Sequence, residues 1–248
     1  MNEILKQIKN RKSMRVFENK PILAELKKEI LNAAFEAPTG GAMMLYSIID
    51  ITDEKLKQQL SVKCDNQPFI AKAPLVLIFL ADYQRWYDAF ESENCNIRTP
   101  GEGDILLAAA DAIIAAQNTV VAAESLGIGS CYIGDIIENC ETIRELLDLP
   151  DYVLSAAMVV YGYPVEAQKN RKKPARFEEQ YIVFENKYRR LTKEEHIEMQ
   201  TTRNEKAGFL NNNVSEDIQA LCNRKYMSDF SQEMNRSASE YLKKFRAE

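Results

Sequence analysis

Residues 104–125 carry apolar side chains on almost every side of a helical projection. At 100° per residue Asp104, Asp111, Asn118 and Ser125 fall on one line, Gln117 and Glu124 fall on a second, and nearly everything else is Ala, Leu, Ile or Val. Without an internal Gly or Pro, the run predicts a helix of roughly six turns, wet along narrow strips and surrounded by protein elsewhere. Its length would suffice for a membrane span, but the recurring acids and amides would each be costly in hydrocarbon, so the reading is a buried helix. Small side chains on several sides let other helices approach closely. The helix suits the seam of a dimer as well as a monomer core.

The same periodicities order the rest of the chain. A short helix runs from about 2 to 9 with Ile4, Leu5 and Ile8 on one side. After Pro21 a second amphipathic helix repeats Leu26, Ile30, Ala33, Ala34 and Ala37 until Pro38 stops it. Residues 46–53 read as a core strand, with Asp53 placed to cap a helix starting at Glu54. Residues 72–81 read as a buried strand, and 82–103 as a short helix followed by a polar loop. The stretch 91–103 is long for a connection, which suggests a lid or a disordered segment. Gly127 is a natural helix C-cap, 130–133 is strand-like, and Gly134 reopens the backbone, so a flat ligand could lie there against main-chain N–H groups. A short helix over 138–148, an apolar strand over 152–164 and a last strand candidate at 181–186 follow. From Thr192 onward the pattern is helical and polar, ending in a stripe of Met234, Ala238, Tyr241, Leu242 and Phe245 that the body or a partner must cover. The fold class is α+β, with no internal repeat or low-complexity tract.

Composition narrows the chemistry. The chain has 248 residues, 46% hydrophobic and 28% charged, as expected of a soluble globular protein, and its net charge of −5 argues against a nucleic-acid partner. Its opening reads as an amphipathic helix start rather than a signal peptide, which places the protein in the cytoplasm. Five scattered cysteines form no CxxC pair; Cys131, beside Tyr132, is the one placed to meet a ligand. The single histidine, His196, sits in a charged helical stretch, so neither a catalytic triad nor a histidine-built metal site is expected and the chemistry points to a cofactor. If 11–17 is extended, Arg11, Ser13 and Arg15 share one face and Lys12, Met14 and Val16 the other. Two guanidinium groups flanking a hydroxyl make a phosphate receptor; a basic linker is the alternative. The acid-free run 168–176, with five cations, reads as a solvated loop or a second anion contact.

In order and spacing, Arg-Lys-Ser-Met-Arg-Val-Phe at 11–17, Ser-Ile-Ile-Asp-Ile-Thr-Asp at 47–53, Gln67, the run 122–134, Leu-Asp-Leu-Pro at 147–150, Gly-Tyr-Pro at 162–164 and Val-Phe-Glu-Asn-Lys-Tyr at 183–188 resemble the FMN-dependent nitroreductases. The likeness is to the larger, oxygen-insensitive group that includes NADPH nitroreductases and bacterial flavin reductases. It implies a mixed, mainly antiparallel sheet flanked by helices, an FMN-binding domain over 1–190, a helical C-terminal extension over 191–248, and a homodimer with FMN at the subunit interface.

Carried over by position, the resemblance gives Arg11 and Ser13 the FMN phosphate, with Lys12 nearby, and Arg15 the ribityl chain and the N1/O2 edge of the ring. Thr39, Gly40 and Gly41 would line the flavin from the partner subunit. Gln67 would contact the pyrimidine ring, and the backbone of Tyr132, Ile133, Gly134 and Asp135 would lie beside the central ring and N5. Lys173 and Arg176 would complete the phosphate site. The implied activity is ping-pong hydride transfer from NADPH or NADH to a nitroaromatic, a quinone or a flavin, with Arg15 stabilising negative charge on the reduced ring. A free-flavin reductase and a non-enzymatic FMN carrier or sensor are the alternatives. Met43 and Met44 stand where members often carry Gln or Asn, and only Arg203 and Lys206 represent the loop that some relatives use for the NADPH 2′-phosphate.

Overall fold

Local signals in the chain set most element boundaries. Asn2 accepts the Leu5 N–H at 3.0 Å and so caps α1 (Glu3–Asn10), and α2 spans Ala24–Phe35. Strand β1 is Tyr46–Asp50; Asp53 then accepts the Leu56 N–H at 2.7 Å to start α3 (Glu54–Lys63). There follow the one-turn α4 (Pro68–Ala71), β2 (Leu75–Asp82), α5 (Gln84–Ser92) and α6 (Glu102–Ser125). Then come β3 (Gly129–Ile133), α7 (Cys140–Leu147), β4 (Val153–Gly162), α8 (Glu166–Asn170), α9 (Lys193–Ala207), α10 (Val214–Leu221) and α11 (Asp229–Leu242). This computed structural model describes residues 1–209 and 213–246. Its contacts divide the chain into two units, Met1–Arg171 with Glu233–Glu248, and Lys172–Gln232. The expected junction at 190/191 lies within the second unit, and residues 210–212 and 247–248 of the expected extension lie outside the described residues.

In the first unit the sheet order is β1-β2-β4-β3, and each neighbouring pair is antiparallel. The expected α+β class holds, with the qualification that these four strands make a purely antiparallel sheet. Alternation along β2 sorts its side chains between two layers. Val76, Ile78 and Leu80 join Leu60, Ile70 and Ile143 on one face, while Leu75, Leu77 and Phe79 join Ile30, Ala34, Ala112 and Ala116 on the other. Helices therefore cover both faces, and each fully buried Leu or Ile contributes roughly 2 kcal/mol of transfer free energy.

Helix α6 has the length and composition to cross a membrane, yet it buries Ile105, Ala108, Ala112, Ala115, Ala116, Val120 and Ala123 against its own chain. Its far side is bare: Leu106 is 69% exposed, and Leu107, Ile113 and Ile114 are exposed as well. The apolar residues of α1, Ile4, Leu5 and Ile8, are likewise uncovered. The C-terminal stripe, by contrast, is covered by the body of the chain. Tyr241 is buried, and Phe245 packs with Leu45, Ala81, Ile105 and Ala108.

In the second unit the strand expected at 181–186 does not form. A 3-10 turn, Glu179–Tyr181, leads into open chain, with Ile182 and Val183 each 62% exposed. β propensity alone makes no strand when no neighbour offers a ladder. In the same unit Gln200, Asn204 and Asp217 form a chain of side-chain hydrogen bonds of 3.0 and 2.7 Å that joins α9 to α10.

Candidate active site

The basic segment 11–17 is strapped along the β3–β4 end of the sheet. Met14 N–H donates to the Ser130 carbonyl at 2.9 Å, Phe17 bridges to Pro164, and Glu18 N–H donates to the Tyr163 carbonyl at 2.7 Å. Two glycines permit this approach. A Cβ on Gly129 would lie 2.6 Å from Met14 Cγ, and one on Gly162 would lie 2.6 Å from the Phe17 ring.

Docking in this way gathers the expected cationic residues. Arg11, Ser13 and Arg15 all lie near the buried Cys131 thiol, where burial raises the thiol pKa and Arg15, Ser13 and Arg11 oppose the rise. Cys131 is therefore a protonated core residue facing the α3/α7 layer, not a nucleophile. Tyr132 points to the opposite side of β3. Its ring centroid lies 6.0 Å beneath the Arg11 guanidinium, and burial pushes its hydroxyl up to about 12. Arg11 Nε and Nη2 are buried and have no hydrogen-bond partner. Two buried donors without acceptors are costly, and an anion would satisfy them. Beside it a cavity of about 50 Å³, lined by Gln7, Ile8, Arg11, Gln117, Val120, Val121 and Glu124, has room for little more than water.

Arg15 is exposed, 5.9 Å from the Phe69 ring centroid, and its N–H is taken by Gln168 Oε1 at 3.3 Å. Phe69 belongs to α4, the turn that Gln67 opens. Gln67 Nε2 donates to the Cys64 carbonyl at 2.8 Å and to Asp135 Oδ2 at 2.7 Å. Both amide hydrogens are thus committed, and the Gln67 carbonyl oxygen is what remains to accept from a ligand. Strand β3 ends at Ile133, and Gly134 is exposed, with no atom within 4 Å of where a Cβ would stand.

Lys12 takes a different role. Its ammonium is anchored on the carbonyls of Lys169 and Arg171, while Arg171 Nη2 donates to the Ser13 carbonyl at 2.6 Å. These contacts clamp the segment to the chain after β4. Arg171, Gln168 and Phe69 are site-building residues that sequence reasoning missed; only the cation run 168–176 hinted at the first.

Thr39, Gly40 and Gly41 are organised on another part of the unit. Thr39 Oγ1 donates to Asp111 Oδ2 and accepts the Met44 N–H at 2.9 Å, and Leu45 N–H donates to the same Asp111 oxygen at 3.1 Å. The Thr39 hydroxyl is therefore spent inside the turn, leaving its backbone and the two glycines as the surface for a ligand. Asp111 precedes Gln117 and Glu124 by roughly 10–20 Å along the α6 axis at 1.5 Å per residue. Lys173 and Arg176 lie in the second unit, where Arg176 Nη1 donates to the Pro174 carbonyl at 3.2 Å. There Arg203 stacks on Phe177 at 5.2 Å, and Lys206 pairs with Glu178.

The unit is a layered α+β fold that carries, at the β3–β4 end of its sheet, an Arg11 side chain with two buried donors lacking partners. The profile of the Nitroreductase family matches residues 8–163. An NADPH-dependent oxidoreductase of Staphylococcus aureus is 32% identical over 184 residues, 73% of this chain and 72% of that protein. Among solved structures, Bacillus megaterium NfrA2 superposes over 100% of both chains with a TM-score of 0.83 and 29% identity. The NADPH:FMN oxidoreductase of Vibrio harveyi, solved with NAD+, covers 97% of this chain and 98% of its own, with a TM-score of 0.81 and 25% identity. The chain belongs to the nitroreductase family and is an NAD(P)H-dependent oxidoreductase.

Proposed function

We propose that this protein is a cytoplasmic homodimeric FMN enzyme that takes hydride from NADPH or NADH and delivers it to a nitroaromatic, quinone or flavin acceptor by ping-pong turnover. The observation that carries the reading is the half-buried Arg11 side chain, whose buried Nε and Nη2 meet no partner beside Tyr132. A phosphate dianion supplies the missing acceptors, and Ser13 in the same segment offers a hydroxyl. When bound, FMN supplies the two-electron chemistry, accepting hydride at N5 and giving it up to the second substrate.

The chain's own residues hold and polarise that group. Arg15 stabilises negative charge at the N1/O2 edge, an effect typically of a few kcal/mol. Gln67 would present its carbonyl oxygen to the pyrimidine N–H, and the backbone from Tyr132 through Asp135, open at Gly134, would hold the ring. Thr39, Gly40 and Gly41 line the site of the partner subunit. The exposed apolar residues of α1 and α6, Ile4, Leu5, Ile8, Leu106, Leu107, Ile113 and Ile114, support the dimer, because a second copy would cover them. The roles of Lys173 and Arg176 at the phosphate rest on the resemblance; their alanine variants are expected to weaken FMN binding.

The test is an anaerobic titration of the FMN-reconstituted protein with each nicotinamide while the visible spectrum is recorded. Bleaching of the oxidised flavin band, and its return on adding a nitroaromatic or quinone, is the expected outcome. A yellow protein that neither nicotinamide bleaches would make it a carrier or sensor instead.

A further inference from the structure

Behind Gln67 lies a pair of acids, Glu138 buried and Asp135 half-buried, whose carboxyl groups the proposed chemistry does not use. Asp135 opens a 3-10 turn, Asp135–Ile137, at the end of β3, and Glu138 closes it with its N–H on the Asp135 carbonyl at 3.1 Å. Glu138 is 5% exposed, and its Oε1 is buried with no donor in reach. Side chains at i and i+3 of a 3-10 turn eclipse, which stacks the Glu138 carboxyl on that of Asp135, whose Oδ2 already accepts from Gln67. Two facing carboxylates with no cation between them repel unless one carries a proton, and then they form a strong hydrogen bond.

The other charged groups around Glu138 do not relieve this. Asp65, from the turn after α3, and Glu233, from α11, add negative charge, and the Cys64 thiol beside them is held protonated by burial and by both acids. Arg236 is occupied by Glu233 and Glu141, each at 2.7–2.9 Å. Glu233 Oε1 meanwhile accepts the Asn139 N–H at 3.0 Å.

The geometry points to Glu138 as a positioning residue: its carboxyl proton bridges to Asp135, and that bridge holds Asp135 where it orients the Gln67 amide toward the flavin. The hydrogen-bond chain then runs from Glu138 O–H to Asp135, which also receives the Gln67 N–H. Burial first, and then the Asp135 charge, pushes the Glu138 carboxyl up to about 7, so the chain breaks as the pH rises past neutrality. The inference rests on the reading of Gln67 as a flavin contact.

FMN fluorescence titrations of wild type and Glu138→Gln at pH 6 and pH 8 test it. Glutamine keeps the size and can still donate to Asp135, but it has no proton to lose. The flavin phosphate, which itself titrates at about pH 6, affects both proteins alike, so the ratio of the two affinities is read. We expect the wild type to lose about 5-fold relative to Glu138→Gln between pH 6 and pH 8; a ratio unchanged with pH, with FMN bound by both, would overturn the role.

A second readout needs no flavin. A group whose pKa rises on folding from 4.5 to about 7 stabilises the fold most at low pH, and that stability is lost as the pH climbs through this window. The FMN-free Glu138→Gln protein should therefore melt increasingly above wild type between pH 5 and pH 8, and a constant gap would contradict a titrating Glu138. Asp135→Asn, which removes the facing charge, provides a second variant should Glu138→Gln fail to fold. The pH dependence of wild-type affinity should flatten in it as well. Absence of FMN binding by any of these proteins would overturn the flavin reading and this role together, while the melting gap would still report whether the acid pair shares a proton.

Discussion

The Thr39–Leu45 turn and the Arg11–Phe17 strap are two irregular segments of similar length, each laid against the same long helix, α6, or its neighbouring strand. In the turn the Thr39 hydroxyl and the Met44 and Leu45 N–H groups find acceptors within the chain, Asp111 taking both the hydroxyl and the Leu45 N–H. In the strap the backbone is equally well held, yet the Arg11 guanidinium ends in two buried atoms without partners. A satisfied segment stabilises the fold by itself. One with an unmet charge is finished by something that binds, and its composition is tolerated because the ligand completes it.

Removing the acceptor from the satisfied segment should have the largest effect. Asp111→Ala strands the Leu45 N–H and the Thr39 hydroxyl in buried surroundings and is expected to cost about 2–4 kcal/mol of stability, read by urea denaturation. Next is the strap's fit to the sheet. Gly162→Ala drives a methyl into the Phe17 ring, and a loss of about 1–3 kcal/mol is expected together with weaker FMN retention. Arg15→Ala should leave FMN occupancy high at saturating FMN while slowing flavin reduction about 10- to 100-fold in stopped flow; an unchanged rate would remove Arg15 from the chemistry. The smallest effect sharpens the comparison most. Without FMN, Arg11→Ala should not destabilise the fold and is expected to raise its stability by about 0.5–1 kcal/mol, because the buried donors it removes meet no acceptor in the empty fold.

Elements whose signals are local were legible in the sequence. The Asp53 cap, the apolar period of α2 and the continuous runs of β2 and β4 depend on neighbours within a turn or two. The grouping of Arg11, Ser13, Arg15, Gln67 and the end of β3 was legible only through the resemblance, since the residues of 11–17 alone favoured a basic linker. What stayed hidden depends on contacts far apart in sequence. The Asp111 clamp on the 39–45 turn, the Arg171 hand on Ser13 and the wedge of Phe69 against Arg15 join residues that no periodicity relates. The strand misread at 181–186 has the same cause, because its residues suit a ladder that no described segment offers. Glu138 is in the sequence only the first residue of the helix expected over 138–148, and its burial beside Asp135 emerges only from the fold.

The most direct test of the whole reading is a pair of FMN titrations at neutral pH, one on wild type and one on Arg11→Ala, followed by quenching of flavin fluorescence. If the unpaired guanidinium is the phosphate receptor, the wild type binds stoichiometrically and the variant binds about 100-fold more weakly, roughly 3 kcal/mol for a lost charge-assisted contact. Equal affinities in the two proteins would contradict it.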